Sequence, residues 1–114
     1  MGIDCSGLVQ WAALRAGYEL PRDAAQQSLL GEMLPLDSSS WRAGDLLFFH
    51  DPVDHVAIYD GEETIIHARA RVVRQRLSEA GELHSVLSVV RRLTMDDRIR
   101  QASLWRRPQG LSKL

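Results

Sequence analysis

The sequence predicts an α+β domain in which short helices come first and a small antiparallel sheet follows. Two observations carry this expectation. Residues 4–30 read with helical period and are punctuated by capping residues. From Asp45 onward the apolar residues fall in short runs separated by turn signals. A chain of 114 residues makes one domain, large enough to bury a core without disulfides or metals. Its 45% apolar and 25% charged content is ordinary for a globular protein.

The elements follow in order. Gly7 to Ala16 reads as a helix with Leu8, Trp11 and Ala12 on one face, Asp4 as N-cap and Gly17 just past its end. Leu20-Pro21-Arg22 breaks the pattern, and Asp23 opens a second, shorter helix through Gln26, Gln27 and Leu30. Ser38-Ser39-Ser40 is linker-like but too short to separate domains. Leu46 to Phe49 is an apolar strand, Asp51-Pro52 a turn, and His55 to Tyr59 the next strand. Asp60-Gly61 signals a hairpin into a partner strand over Thr64 to Ala68. Val72-Val73 and Val86 to Leu93 offer two further strands. A helical tail starts at Thr94-Met95-Asp96-Asp97, a capping-box variant, with Met95, Ile99 and Ala102 as its apolar stripe. The expected division is a core over residues 1–93 and a tail over 94–114.

Charge is uneven along the chain. Residues 1–68 carry three basic and eleven acidic side chains, a net −8; residues 69–114 carry eleven basic and four acidic, a net +7. The overall net charge of −1 gives no sign of nucleic-acid binding. Solvated strand and helix faces explain the asymmetry most simply. Arg69, Arg71, Arg74 and Arg76 recur largely at even spacing, which puts them on one solvent-facing side of a strand. No apolar run approaches a membrane span. No secretory signal precedes the first motif, and a single cysteine leaves the compartment open.

That cysteine, Cys5, sits where a helix begins, and His55 and His67 lie far downstream in strand-like runs. A thiol nucleophile needs help, because a free thiol is mostly protonated at neutral pH. Unpaired N–H groups and the positive dipole end of a helix N-terminus favour the anion, and the N–H groups of Cys5 and Ser6 can contribute to an oxyanion hole. A histidine can hold the thiol proton and deliver it to a leaving amine, if its other ring nitrogen is tied down. His55 and His67 flank the hairpin, so pairing across it brings the imidazoles together. The N-terminal helix must then pack its cysteine on the same side of the sheet. A zinc site from Cys5, His50, His55 and His67 has suitable ligand types but no tight paired spacing. His50 and His84 read as surface histidines, Trp11 and Trp41 as core or pocket wall, and Gly44-Asp45 as a turn without chemistry.

Five segments together carry a resemblance. Asp4-Cys5-Ser6-Gly7-Leu8-Val9-Gln10, Leu20-Pro21-Arg22-Asp23-Ala24-Ala25-Gln26, Ala43-Gly44-Asp45-Leu46-Leu47-Phe48-Phe49, His55-Val56-Ala57-Ile58-Tyr59 and Ile66-His67-Ala68 occur in an order that resembles the NlpC/P60 family. These are bacterial cell-wall cysteine peptidases with a papain-like core. The resemblance implies N-terminal helices packed on a small antiparallel sheet. It implies a triad of Cys5 as nucleophile, His55 as base and His67 as orienting residue. It further implies hydrolysis of the bond between D-γ-glutamyl and a diamino acid, usually meso-diaminopimelate, in peptidoglycan stem peptides or muropeptides. Asp4, Ser6, Arg22 and Asp54 are the expected substrate-side residues, with Asp4 near the ligand's amino group. No metal and no cofactor is expected. The expected location is the cell envelope or outside the cell, with cytoplasmic recycling as the alternative.

Two departures from the family stand out. Its members carry a further N-terminal helix and loop before the cysteine, so the expected reading is an N-terminally incomplete domain. The apolar surface this leaves uncovered favours a homodimer. Asp54 stands where a small hydroxyl residue is usual, and a carboxylate beside His55 is expected to favour the imidazolium and shift the pH profile upward. The alternatives are a remnant that binds peptidoglycan or a partner without cutting, and an amidase or acyltransferase on the same core.

Overall fold

The computed structural model describes residues 4–94. The helical tail expected from Thr94, with its Met95, Ile99 and Ala102 stripe, lies outside the described residues beyond Thr94 itself. The element order is helix α1 (Cys5–Arg15), helix α2 (Ala24–Gln27), then strands β1 (Glu32–Leu34), β2 (Leu46–Phe49), β3 (His55–Gly61), β4 (Thr64–Arg69), β5 (Arg71–Arg76) and β6 (Leu87–Arg92). One six-stranded sheet forms in the order β1-β6-β2-β3-β4-β5, with every neighbouring pair antiparallel. The α+β class holds.

Helix α1 begins at Cys5, two residues before the sequence pattern suggested. Asp4 caps it: Oδ1 accepts from the Gly7 N–H at 2.7 Å, and its backbone carbonyl accepts from Leu8 N–H. The buried face is Ser6, Leu8, Val9 and Ala13. Trp11, expected on that face, is 56% exposed and has the Arg15 guanidinium over its ring. At 3.6 residues per turn, Trp11 lies about 200° around the helix from Val9, so a helix that seats Val9 and Ala13 on the sheet turns Trp11 outward. Helix α2 stops at Gln27 rather than Leu30.

The sheet has a separate apolar layer on each face. Leu46, Phe48 and Val56 pack with Val9, Ala13, Leu20 and Ala24 on the helix side. Leu47, Phe49, Ala57, Tyr59, Ile65 and Val90 pack with Trp41, Leu77 and Leu83 on the other. β2 and β3 are buried on both faces, which is why Leu46 to Phe49 reads as an unbroken apolar run.

Three local readings need correction. The β3–β4 hairpin turns at Glu62-Glu63, at φ 52° and 63°, and Asp60-Gly61 belongs to β3. Two consecutive left-handed residues match the twist of a two-residue hairpin loop. The Tyr59 hydroxyl, accepting from Glu63 N–H at 2.8 Å, holds this otherwise unfavourable pair. β1 has no signal in the local sequence pattern. It is three residues long, and it pairs with β6, about sixty residues away in sequence. Finally, the arginines do not share a face. Arg71 aligns with Arg69, whereas Arg74 aligns with Ile66 and Arg76 with Thr64, because the three-residue step from Arg71 to Arg74 reverses parity.

Asp45, read as a turn residue without chemistry, is the main polar anchor of the sheet. It is 2% exposed and accepts from Arg42 N–H at 2.7 Å and from Arg92 Nε and Nη2, both at 2.8 Å. The bidentate pair ties the start of β2 to the end of β6.

Candidate active site

Cys5 is the first residue of α1, and α1 packs over β3 and β4. Asp4 satisfies the Gly7 and Leu8 N–H groups, so those of Cys5 and Ser6 lie ahead of the first intrahelical bonds. Arg22 brackets the cysteine. Its Nη2 donates to Asp4 Oδ2 at 2.8 Å and its Nη1 to Ser6 Oγ at 2.9 Å. This hydrogen bond, with the Gly7 N–H, holds the Asp4 carboxyl below its ordinary pKa. Ser6 is buried, and its carbonyl accepts from Gln27 Nε2 at 3.1 Å. Asp4, Ser6 and Arg22 thus form one connected frame around Cys5.

His55 and His67 do come together. His55 Nε2 lies 2.8 Å from His67 Nδ1, both residues are 5% exposed, and the rings meet edge-on at 76°. A third partner, not singled out by the sequence reading, completes the chain. Gln75 Oε1 lies 2.7 Å from His67 Nε2. Gln75 Nε2 donates to the Glu79 carbonyl at 3.4 Å, which leaves Oε1 to face the ring. The amide therefore sets the tautomers. An acceptor at Gln75 requires N–H at His67 Nε2, so neutral His67 accepts at Nδ1. His55 must then donate from Nε2, and its lone pair sits on Nδ1.

Burial is the largest cause pushing the His55 pKa down to about 4, with the Arg69 and His67 charges next. Asp54 acts in the opposite direction but does not prevail. Its side chain is 68% exposed and bonded to His50 Nδ1 at 2.6 Å. Asp54 thus favours the imidazolium, as expected, but burial outweighs this solvated carboxylate already engaged by His50, and the net shift is downward. His55 is neutral at pH 7.

The folded-state pKa of His55 lies below the ordinary 6.5, so the unfolded chain takes up the proton first as pH falls. Stability contributed by neutral His55 is present above pH 6.5 and is lost between about 6.5 and 4. The full loss is about 3 kcal/mol. Urea unfolding at pH 7 and pH 4.5 is expected to show a smaller pH-dependent loss for His55→Asn than for the parent. Equal losses would contradict it.

The sheet face differs from expectation. Val56 packs on the helix side, whereas the His55 ring lies against Phe49 on the opposite layer, 5.7 Å between centroids. Cys5 packs against the helix-side layer. Strand alternation imposes this, since neighbours along β3 point to opposite faces. No hydrogen bond joins Cys5 to either histidine among the described residues. A cavity of about 410 Å³ lies apart from these residues, between the end of α1 and Tyr18, Arg42, Asp45, Leu46 and Leu93. No group of three or more metal-ligating side chains occurs among the described residues, and no helix there is long and apolar enough to cross a membrane.

The model of the NlpC/P60 family matches residues 1–92. A protein of Corynebacterium glutamicum named a probable endopeptidase is 42% identical over 65 residues, which are 57% of this chain and 30% of that protein. The γ-D-glutamyl-L-lysine dipeptidyl-peptidase of Bacillus subtilis is 39% identical over 72 residues, 59% of this chain and 24% of that enzyme. The chain therefore spans less than a third of the length of these curated relatives. Among solved structures, RipD of Mycobacterium tuberculosis superposes with a TM-score of 0.67 at 27% identity, over 80% of this chain and 67% of that one. RipD is described as a non-catalytic NlpC/P60 domain protein adapted to peptidoglycan binding.

Proposed function

The chain belongs to the NlpC/P60 family, and on that premise we propose that it is a cysteine peptidase cleaving the D-γ-glutamyl–diamino acid bond of peptidoglycan stem peptides. The observation that carries this reading is the chain of hydrogen bonds from Gln75 through His67 to His55, which aims a neutral imidazole lone pair at Nδ1. In a chain whose candidate nucleophile is Cys5, such a group would serve to take a thiol proton. The B. subtilis relative's named bond is the reason for choosing this substrate, and the cell envelope is the corresponding location.

In the proposed reaction, His55 Nδ1 takes the Cys5 proton and the thiolate attacks the γ-carbonyl carbon. The oxyanion is met by N–H groups at the start of α1. The imidazolium at His55 is held through Nε2 by His67, then gives its Nδ1 proton to the departing amine. Water, deprotonated by His55, hydrolyses the glutamyl thioester and restores the thiol. The Asp4–Arg22–Ser6 frame supports the acyl side, where the Asp4 carboxylate suits a substrate ammonium. Cys5 and His55 are each the first residue of their element and lie on different sheet faces, so this reaction requires their side chains to meet around the end of β3.

The direct test is incubation with L-Ala-γ-D-Glu-meso-diaminopimelate, read by mass spectrometry. Release of diaminopimelate is expected; a folded protein that releases none overturns the reading. A second reading, a module that binds stem peptides without cutting, is favoured by the missing hydrogen bond between Cys5 and His55. It predicts saturable tripeptide binding with no product.

Gln75 enters as a positioning residue. Gln75→Leu removes the acceptor that sets both tautomers and is expected to lower kcat about tenfold to a hundredfold with little change in KM. Gln75→Glu keeps the acceptor and adds a negative charge. It should restore most of the rate while moving the acidic limb of the pH profile upward. An unmoved limb would reduce Gln75 to a packing role.

A further inference from the structure

The turn between β4 and β5 holds two guanidiniums in an unfavourable arrangement. Arg69 and Arg71 are cross-strand partners separated by Ala70 alone, which sits at φ 68° in the left-handed region. Like charges directly opposed on a sheet repel, and a non-glycine residue at positive φ adds strain. Both arginines are exposed. Arg22, Arg74 and Arg92 each hold a carboxylate, whereas Arg69 and Arg71 hold none among the described residues.

Their direction follows from parity. Gln75 bonds to His67, so the face carrying His67 also carries Gln75 and Val73. Arg69 is two residues beyond His67, and Arg71 two before Val73, so both belong to this face. The Arg69 charge reaches His55, where it ranks next after burial among the causes favouring the neutral ring. The pair therefore sits at the open end of the histidine face, beside the proposed base.

We infer that Arg69 and Arg71 form a carboxylate subsite that takes the α-carboxylate of the residue whose amine departs. This rests on the peptidase reading above. The base must reach the leaving nitrogen to protonate it, and an α-carboxylate hangs from the carbon bonded to that nitrogen. A carboxylate between the guanidiniums relieves their repulsion and forms charge-assisted hydrogen bonds. The subsite thus selects stem peptides that end at the diamino acid over those that continue beyond it.

The test compares L-Ala-γ-D-Glu-meso-diaminopimelate with the same peptide amidated at the diaminopimelate α-carboxyl. The parent is expected to cut the acid with a kcat/KM at least about tenfold above the amide. The double variant Arg69→Gln, Arg71→Gln should cut the acid no better than the amide. Equal rates on both peptides by the parent, or equal losses on both by the variant, would overturn the subsite. A second readout needs no turnover. Free meso-diaminopimelate added to the labelled protein should shift the His55 ring nitrogen resonances, and the double variant should abolish the shift. Saturable, Arg-dependent shifts without cleavage of either peptide would uphold the subsite and sink the peptidase reading. Cleavage without discrimination would do the reverse.

Discussion

Replacing Cys5 with alanine is expected to reduce release of diaminopimelate from the stem tripeptide by at least about a thousandfold, leaving the fold intact. Both halves of this expectation have a structural basis. Without sulfur there is no nucleophile to form the thioester, and an imidazole poised at Nδ1 has no proton to take. What the remaining groups supply is positioning and oxyanion stabilisation, which alone leave only a small residual rate. The fold should tolerate the change because Cys5 is only partly buried and its thiol makes no hydrogen bond among the described residues. Removing one sulfur at such a place costs little. The check is product release by mass spectrometry, beside urea unfolding of parent and variant. A variant that keeps even a tenth of the parent rate would remove Cys5 from the mechanism.

The largest stability effect is expected at Asp45. Asp45→Ala leaves the Arg92 guanidinium, 22% exposed in its side chain, without its carboxylate, and leaves the Arg42 N–H without its acceptor. Breaking a buried ion pair from one side costs about 3–5 kcal/mol, a large part of the total for a domain of this size. The urea midpoint should fall accordingly with the slope unchanged. Double substitution Asp45→Leu, Arg92→Met separates the two components of that cost. Because most of the penalty is the charge left behind, the double variant should lose less than the sum of the single ones. Additive losses would mean that the pair is not coupled, contrary to its two 2.8 Å contacts.

Much of the site was legible because its signals are local. A cysteine one residue after an N-capping aspartate needs only the first turn of a helix to be placed. His55 and His67 sit on consecutive strands of a hairpin, so period-two alternation nearly suffices to pair them. Gln75 was not legible: a glutamine within an arginine-rich strand carries no chemistry until the β4–β5 register sets it beside His67. Asp45 looks like a plain turn residue in the sequence because its partner is 47 residues away. The upward pull of Asp54 on His55 is present but outweighed, for a related reason. The sequence shows which charges are neighbours along the chain, but burial of His55 depends on what packs over it.

The sequence by itself determined the α+β class, the Asp4 and Asp23 caps, the strands from Leu46 to Ala68 and the residue types able to do thiol chemistry. These depend on interactions within a few residues, where backbone geometry and side-chain type decide the outcome. Only the tertiary structure decided which sheet face each group occupies, that β1 joins the edge, which tautomer His55 holds and where Arg69 and Arg71 point. Each of these depends on strand register and on contacts between distant segments, and a one-residue step reverses the face of every side chain that follows it.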